Sequence, residues 1–148
     1  MSDPTITDGV LYGADEVVAK WVAERMGRKE AIFQPYVALG IVNADENDLV
    51  AGVVFHSYQP DGDITISAAA DRPTMRRKAL ARVFGYAFNE LNLKRVSAEV
   101  PLDNERSRKL VEGLGFVKEG AKRKATPNGR PVLVFGLLKK DFLLKGYL

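Results

Sequence analysis

The sequence predicts an α+β domain: a mixed, mostly antiparallel sheet with helices packed on both faces. Three observations carry this. Three short strand-like segments follow one another between residues 36 and 70, separated only by turn residues. A long amphipathic segment is then bracketed by two strand-like segments, the pattern of a right-handed βαβ crossover and hence of a parallel pair. Two further strand-like segments flank a Pro-Asn-Gly turn near the end. Such an order gives a mixed sheet with helical layers.

Taken in order, residues 14–26 form the first helix, with Val17, Val18, Trp21, Val22 and Met26 at helical spacing. Asp15 and Glu16 suit the positive end of its dipole, and Gly27 marks its stop. Residues 36–42 and 49–57 read as strands of a hairpin around a polar turn at 43–48. A Gln-Pro-Asp-Gly turn leads to a third strand at 63–70, with Ile64 and Ile66 on one face. The long helix spans residues 74–92, its stripe being Leu80, Val83, Phe84, Ala87, Phe88 and Leu91. A strand follows at 95–100, limited by Pro101. A helix at 104–114 is capped by Asp103 or Asn104 and closed by Gly115. Residues 116–124 and 132–138 make the last hairpin around the turn at 126–129. Phe33, Tyr36, Phe55, Phe84, Phe88, Phe116 and Phe135 sit at core periodicity and read as packing.

Composition narrows the chemistry. The chain has 148 residues, no cysteine, one histidine and a net charge of +3. That length fits one domain, residues 1–148, with one core. Disulfides and cysteine nucleophiles are excluded, and a structural zinc site lacks its usual ligands. No apolar run reaches the ~20 residues of a membrane span, and the acidic start is no signal peptide, so a cytoplasmic protein is expected. The P-loop, dinucleotide and G-x-S-x-G signatures do not occur.

Two constellations point to a ligand. Arg72, Arg76, Arg77 and Lys78, with Arg82 a turn later, crowd the start of the long helix, where cations are locally unfavourable and anions welcome. A phosphate-rich cofactor would offset that cost; without one, the cluster is a solvated basic face. Asn104 and Ser107 share one side of the next helix and can orient a ligand amide or thiol, or simply cap. Lys118, Lys122, Arg123, Lys124 and Arg130 on the last hairpin read as a solvated strand face.

The segment from Tyr86 to Val100, then Asn104-x-x-Ser107, Leu114-Gly115-Phe116 and Glu119-Gly120, resembles the C-terminal half of GNAT N-acetyltransferases. It is most like the ribosomal-protein N-acetyltransferase branch. Tyr12-Gly13-Ala14-Asp15, Trp21-Val22-Ala23 and Ala51-Gly52-Val53-Val54-Phe55 are similar to compact GNAT proteins of phage and prophage genomes. The resemblance covers nearly the whole chain. It implies a GNAT fold and transfer of an acetyl group from acetyl-CoA to an amine of a protein or small molecule.

The resemblance also implies where the cofactor lies. The strands before and after the long helix splay apart, and the pantetheine arm runs along Ser67, Ala68, Ala69 and Ala70. The pyrophosphate rests on Met75, Arg76, Arg77, Lys78 and Ala79. Asn104 contacts the arm, and Ser107 lies near the sulfur. Two positions depart from the family pattern. The loop glycines fall on Arg72, Thr74 and Arg76, so guanidinium groups would replace backbone N–H groups around phosphate. The tyrosine that serves as acid to the leaving thiolate falls on Val111, which passes that task to Ser107 or water.

A base must remove a proton from the amine. His56 is the only side chain whose unperturbed pKa lies near neutrality; Asp63, Glu99, Tyr58 and a water chain are alternatives. The runner-up function is a GNAT-fold binding or structural module without turnover. A nucleic-acid binder has no recognition-helix or stacking pattern behind it. The acceptor amine and the choice between monomer and homodimer stay open.

Overall fold

The computed structural model describes residues 3–29, 33–43, 45, 48–71 and 76–144. Its elements are β1 (Thr5–Thr7), β2 (Val10–Tyr12), α1 (Asp15–Arg25), β3 (Tyr36–Val42), β4 (Leu49–Gln59), β5 (Asp63–Ala70), α2 (Arg77–Gly85), β6 (Arg95–Pro101), α3 (Glu105–Leu114), β7 (Val117–Lys122), β8 (Val132–Leu138) and α4 (Lys139–Leu144). The strands form one eight-stranded sheet in the order β1-β2-β3-β4-β5-β6-β8-β7. Every neighbouring pair is antiparallel except β5 with β6. The crossover through α2 makes that pair parallel.

Alternation along the strands sorts side chains onto two faces. Ala38 and Val54 point toward α1, whose Val18, Ala19, Val22 and Ala23 are buried against them. Leu39, Val53, Ile64, Ile66, Val96, Ala98, Leu133, Phe135 and Leu137 point the other way, into the core shared with α2 and α3. The mixed sheet with helices on both faces is therefore as the sequence predicts. Val17 and Met26, placed on the buried stripe of the first helix by their spacing, are instead 61% and 41% exposed. The small Ala19 and Ala23 take the contact and let α1 approach the sheet closely.

The closest approach is over two glycines. A Cβ on Gly52 would lie 2.7 Å from Val22 Cγ2 and 3.0 Å from Val18 Cγ1, and one on Gly40 would lie 3.1 Å from Val18 Cγ2. Both α1 and α3 end in Schellman motifs. Arg28 N–H donates to Ala23 C=O (2.8 Å) and Gly27 N–H to Glu24 C=O (3.1 Å), with Gly27 at φ 69°. Phe116 N–H donates to Val111 C=O and Gly115 N–H to Glu112 C=O, both at 3.0 Å.

Three features differ from the sequence reading. The β1–β2 hairpin was not foreseen, although Asp8 and Gly9, both at positive φ, are a strong hairpin dipeptide. The described part of the long helix begins at Arg77, with residues 72–75 outside the described residues, and its last turn, Tyr86–Glu90, is π-helical. Lys139 Nζ donates to Phe88 C=O there (3.0 Å). The short α4 completes the core: Phe142 is fully buried, its ring centroid 4.9 Å from that of Phe84.

Because the β-branched Val18 and Val22 have little freedom to move, Gly52→Ala is expected to lower unfolding free energy by about 1–3 kcal/mol. Gly113→Ala, on an exposed helical position where a new Cβ meets nothing within 4 Å, is expected to raise it by about 0.5–1 kcal/mol. Urea denaturation of the two variants tests whether close approach, rather than glycine itself, sets the cost.

Candidate active site between the parting strands

The parallel pair is short. β5 and β6 align only at Thr65 with Ser97 and Ile66 with Ala98. Beyond these pairs, β5 runs on to Ala70 and β6 to Pro101 without facing each other. β5 stays paired with β4 throughout, from Thr65 opposite His56 to Ala70 opposite Ala51. Asp71 N–H donates to Val50 C=O at 2.9 Å, so the odd-numbered residues of this stretch bond β4. The backbone groups of Ala68 and Ala70 consequently point into the gap.

The strands are pinned where they meet. Ser97 Oγ donates to Asp63 Oδ2 at 2.7 Å. Arg95 donates from Nη2 to Ser97 Oγ (3.0 Å) and Glu119 Oε1 (2.7 Å). Lys94 and Arg95 N–H both reach Gly62 C=O, at 3.2 and 3.3 Å. Asp63, named among the alternative bases, is thus held in a structural clasp and does not line the cleft.

From the gap opens a cleft of roughly 1250 Å³. Ser67, Ala68, Ala69 and Ala70 line one side, and Asn104, Ser107, Leu110 and Val111 line the other. Asn104 caps α3, its side-chain oxygen accepting from Ser107 N–H at 3.2 Å. That bond uses the amide oxygen and leaves the NH₂ group for a ligand. Arg76, Arg77 and Lys78 are exposed at the start of α2, while Ala79 is buried beneath them; none of the four lines the cleft. Arg76 makes no side-chain cap bond, and the first helical bond runs from Leu80 N–H to Arg76 C=O (3.0 Å). Met75 and Arg72 lie outside the described residues. Arg82 does not join the helix-start cluster: its Nε pairs with Asp8 Oδ2 at 3.0 Å, on the N-terminal hairpin.

His56 sits behind the β5 wall rather than on the cleft surface. Its Nε2 is 2.8 Å from Ser67 Oγ and its Nδ1 is 3.0 Å from Ser57 Oγ. The Phe33 ring lies 5.4 Å away, centroid to centroid. Burial lowers its pKa from the ordinary 6.5, against a smaller opposite effect of Glu99, so the neutral imidazole prevails at pH 7. Glu99 lines the cleft and is held by Lys122 Nζ at 2.6 Å. Tyr58 is 46% exposed and does not line the cleft.

Several lining residues escaped the sequence reading. Lys122, read as part of a solvated strand face, reaches the cleft, and so do Arg106 and Lys109 of α3. Arg25 and Arg28 enter from the end of α1. Arg25 binds both oxygens of Asp71, at 2.7 and 3.0 Å, with its guanidinium 3.4 Å from the Trp21 ring centroid. No local pattern announces such residues, because they meet only through the fold.

The one parallel pair among the described strands thus parts into a cleft that has the start of α3 on its lining. The acetyltransferase (GNAT) domain model matches residues 1–117, and the chain belongs to the GNAT acetyltransferase family. It is 28% identical over 138 residues to the uncharacterized N-acetyltransferase YoaA of Bacillus subtilis (strain 168), across 81% of this chain and 78% of that protein. Its fold is similar to that of the ribosomal-protein-S5-alanine acetyltransferase of Vibrio fischeri (TM-score 0.69, 19% identity, 95% of this chain and 99% of that one). It is similar also to mutant forms of the spermidine/spermine N-acetyltransferase SpeG of Vibrio cholerae (TM-score 0.64, 21% identity, 74% of this chain and 70% of that one). The activity is that of the family, transfer of an acetyl group to an amine. Among the described residues, no helix is long and apolar enough to cross a membrane.

The clasp gives a pH signature. The hydrogen bond from Arg95 holds the Glu119 carboxyl below its ordinary 4.5. A lowered carboxyl pKa adds stability that is complete above the unfolded value and is lost as pH falls through the folded one. Glu119→Gln is therefore expected to lose unfolding free energy less steeply than the wild type below pH 4.5. Urea midpoints across that range read this out, and parallel curves would show that the pair does not contribute.

Proposed function

We propose that the donor is acetyl-CoA, bound with its pantetheine arm in the gap between β5 and β6 and its pyrophosphate at the start of α2. The observation that carries this is the parting of the strands after Ile66 and Ala98, which leaves the backbone of Ala68 and Ala70 unpaired toward the cleft. An amide-bearing arm would satisfy those groups as a third strand would, and the small side chains of Ala68, Ala69 and Ala70 allow it to lie close. Arg76, Arg77 and Lys78 favour phosphate at a helix end that already offers N–H groups. The whole chain acts as one domain, since its first and last strands share one sheet.

In this reading the amine nitrogen attacks the thioester carbonyl carbon, whose oxygen is polarised by the N–H of Ala68 or Ala70. The C–N bond forms and the C–S bond breaks. Ser107, beside the sulfur, or water protonates the thiolate, because Val111 has no acidic group to offer. His56 receives the proton that the amine gives up. Positioning of the two reactants supplies much of the rate.

The acceptor is the N-terminal amine of a protein or peptide. The cleft lining carries five cations (Arg25, Arg28, Arg106, Lys109, Lys122) against the carboxylates Glu99 and Asp103. A polyamine, with further positive charges beyond its reacting nitrogen, would meet a repulsive field, whereas a peptide brings one amine and carbonyl groups.

Titration calorimetry with acetyl-CoA is expected to show binding, and the double variant Arg76→Ala, Arg77→Ala to weaken it about tenfold, equivalent to ~1.4 kcal/mol. Absence of wild-type binding at millimolar cofactor would remove the donor proposal. Mass spectrometry of acetylated products is expected to favour peptides with a free α-amine over spermidine. Cofactor binding without any product across both amine classes would instead mark a binding module.

A further inference from the structure

We infer that Ser67 is a proton relay, carrying the acceptor's proton from the cleft to His56. The inference rests on the proposed placement of the acetyl-transfer reaction in this cleft. It differs from the implied role of Ser67 as part of the cofactor wall.

The geometry leaves the imidazole one hydrogen-bonded way out to the cleft among the described residues. Ser67 lines the cleft and is half-buried, whereas His56 does not line it. Their 2.8 Å contact joins the two. On the opposite side of the ring, Ser57 holds Nδ1 at 3.0 Å. Ser57 is a non-glycine residue at φ 54°, beside the irregularity in β4–β5 pairing between His56 and Gln59. A left-handed conformation is unfavourable for serine, and here its hydroxyl abuts the ring. If Nδ1 carries the hydrogen and donates to Ser57 Oγ, Nε2 is left as the acceptor facing Ser67.

The proton balance is simple. As the amine nitrogen bonds to the carbonyl carbon, its proton passes to Ser67 Oγ while the Ser67 hydroxyl proton passes to His56 Nε2. Serine is unchanged, the ring becomes imidazolium, and the thiolate leaves as the C–S bond breaks. The imidazolium later returns its proton to solvent. The groups around the ring are Tyr36 opposite it on β3, Ser57 beside it on β4, Thr65 and Ser67 on β5, Phe33 from the preceding loop and Glu99 on β6. Among the described residues, Glu99 is the carboxylate whose charge acts on the ring, and Lys122 holds it in place. The acid–base character of the relay therefore belongs to the histidine.

The test uses the full chain. The single histidine makes nitrogen NMR of the imidazole unambiguous, and the absence of cysteine removes background from a disulfide reagent that reads released thiol. Acetyl-CoA is supplied with an alanine-first peptide, with spermidine, and with water alone as the limiting acceptor. Ser67→Ala is expected to reduce kcat about 10²-fold with little change in KM for acetyl-CoA. It is also expected to abolish a break in the pH profile that the wild type shows below 6.5, the ordinary histidine value. Ser67→Thr, which keeps the hydroxyl and suits a strand, is expected to restore most of the rate. NMR is expected to show hydrogen on Nδ1 in the wild type. Hydrogen on Nε2 instead, or a Ser67→Ala variant with wild-type rate and profile, would overturn the relay. Loss of acetyl-CoA binding by calorimetry would mark failure of the donor placement, and the NMR result would still decide the direction of the hydrogen bond.

Discussion

The site depends on a pairing that stops early. Parallel strands ordinarily continue their ladder as long as both backbones run on, because an unpaired buried amide is costly. Here β5 stays in register with β4 from Thr65 to Ala70 but loses β6 after Ile66. The edge so exposed lies inside the sheet rather than at its rim. The cleft, its alanine wall and the α3 residues facing it all follow from that divergence.

The rest of the fold holds this geometry from both sides. On one face, α1 is drawn tight over Gly40 and Gly52, which fixes β3, β4 and β5 as a unit. On the other face, α2 and α3 bury Val83, Phe84, Val111 and Leu114 in the larger core. Arg25 ties the end of α1 to Asp71 at the far end of β5. The helices α2 and α3 that follow the two parting strands are thus mounted on well-packed supports.

Much of this was legible in the sequence, and the parts that were not have physical reasons. Strands β3, β5 and β8 are bounded by clear turn residues and were placed to the residue. The β1–β2 hairpin has strands too short for alternation to register, and only its Asp-Gly turn spoke for it. Periodicity cannot distinguish an α-helical from a π-helical turn, because Ala87, Phe88 and Leu91 remain on one side in both. Phe142 of α4 is buried, but a helix of six residues is too short for a helical stripe to register. Around the cleft, the spacing of Asn104 and Ser107 singled them out, whereas the alanine run could be named only from resemblance. Lys122 could not be told from its exposed neighbours Arg123 and Lys124. The link between His56 and Ser67 joins two strands across eleven residues and arises only from register.

The clasp of Asp63, Ser97, Arg95 and Glu119 makes the divergence a V with a fixed apex. Its arms are tethered where they meet and part only beyond that point. A guest entering such a notch finds its walls already formed, and little order remains to be imposed on the protein. The depth of the notch is set by where the apex falls: pairing that ends at Ile66 leaves Ser67 to Ala70 as the length of β5 open along the cleft.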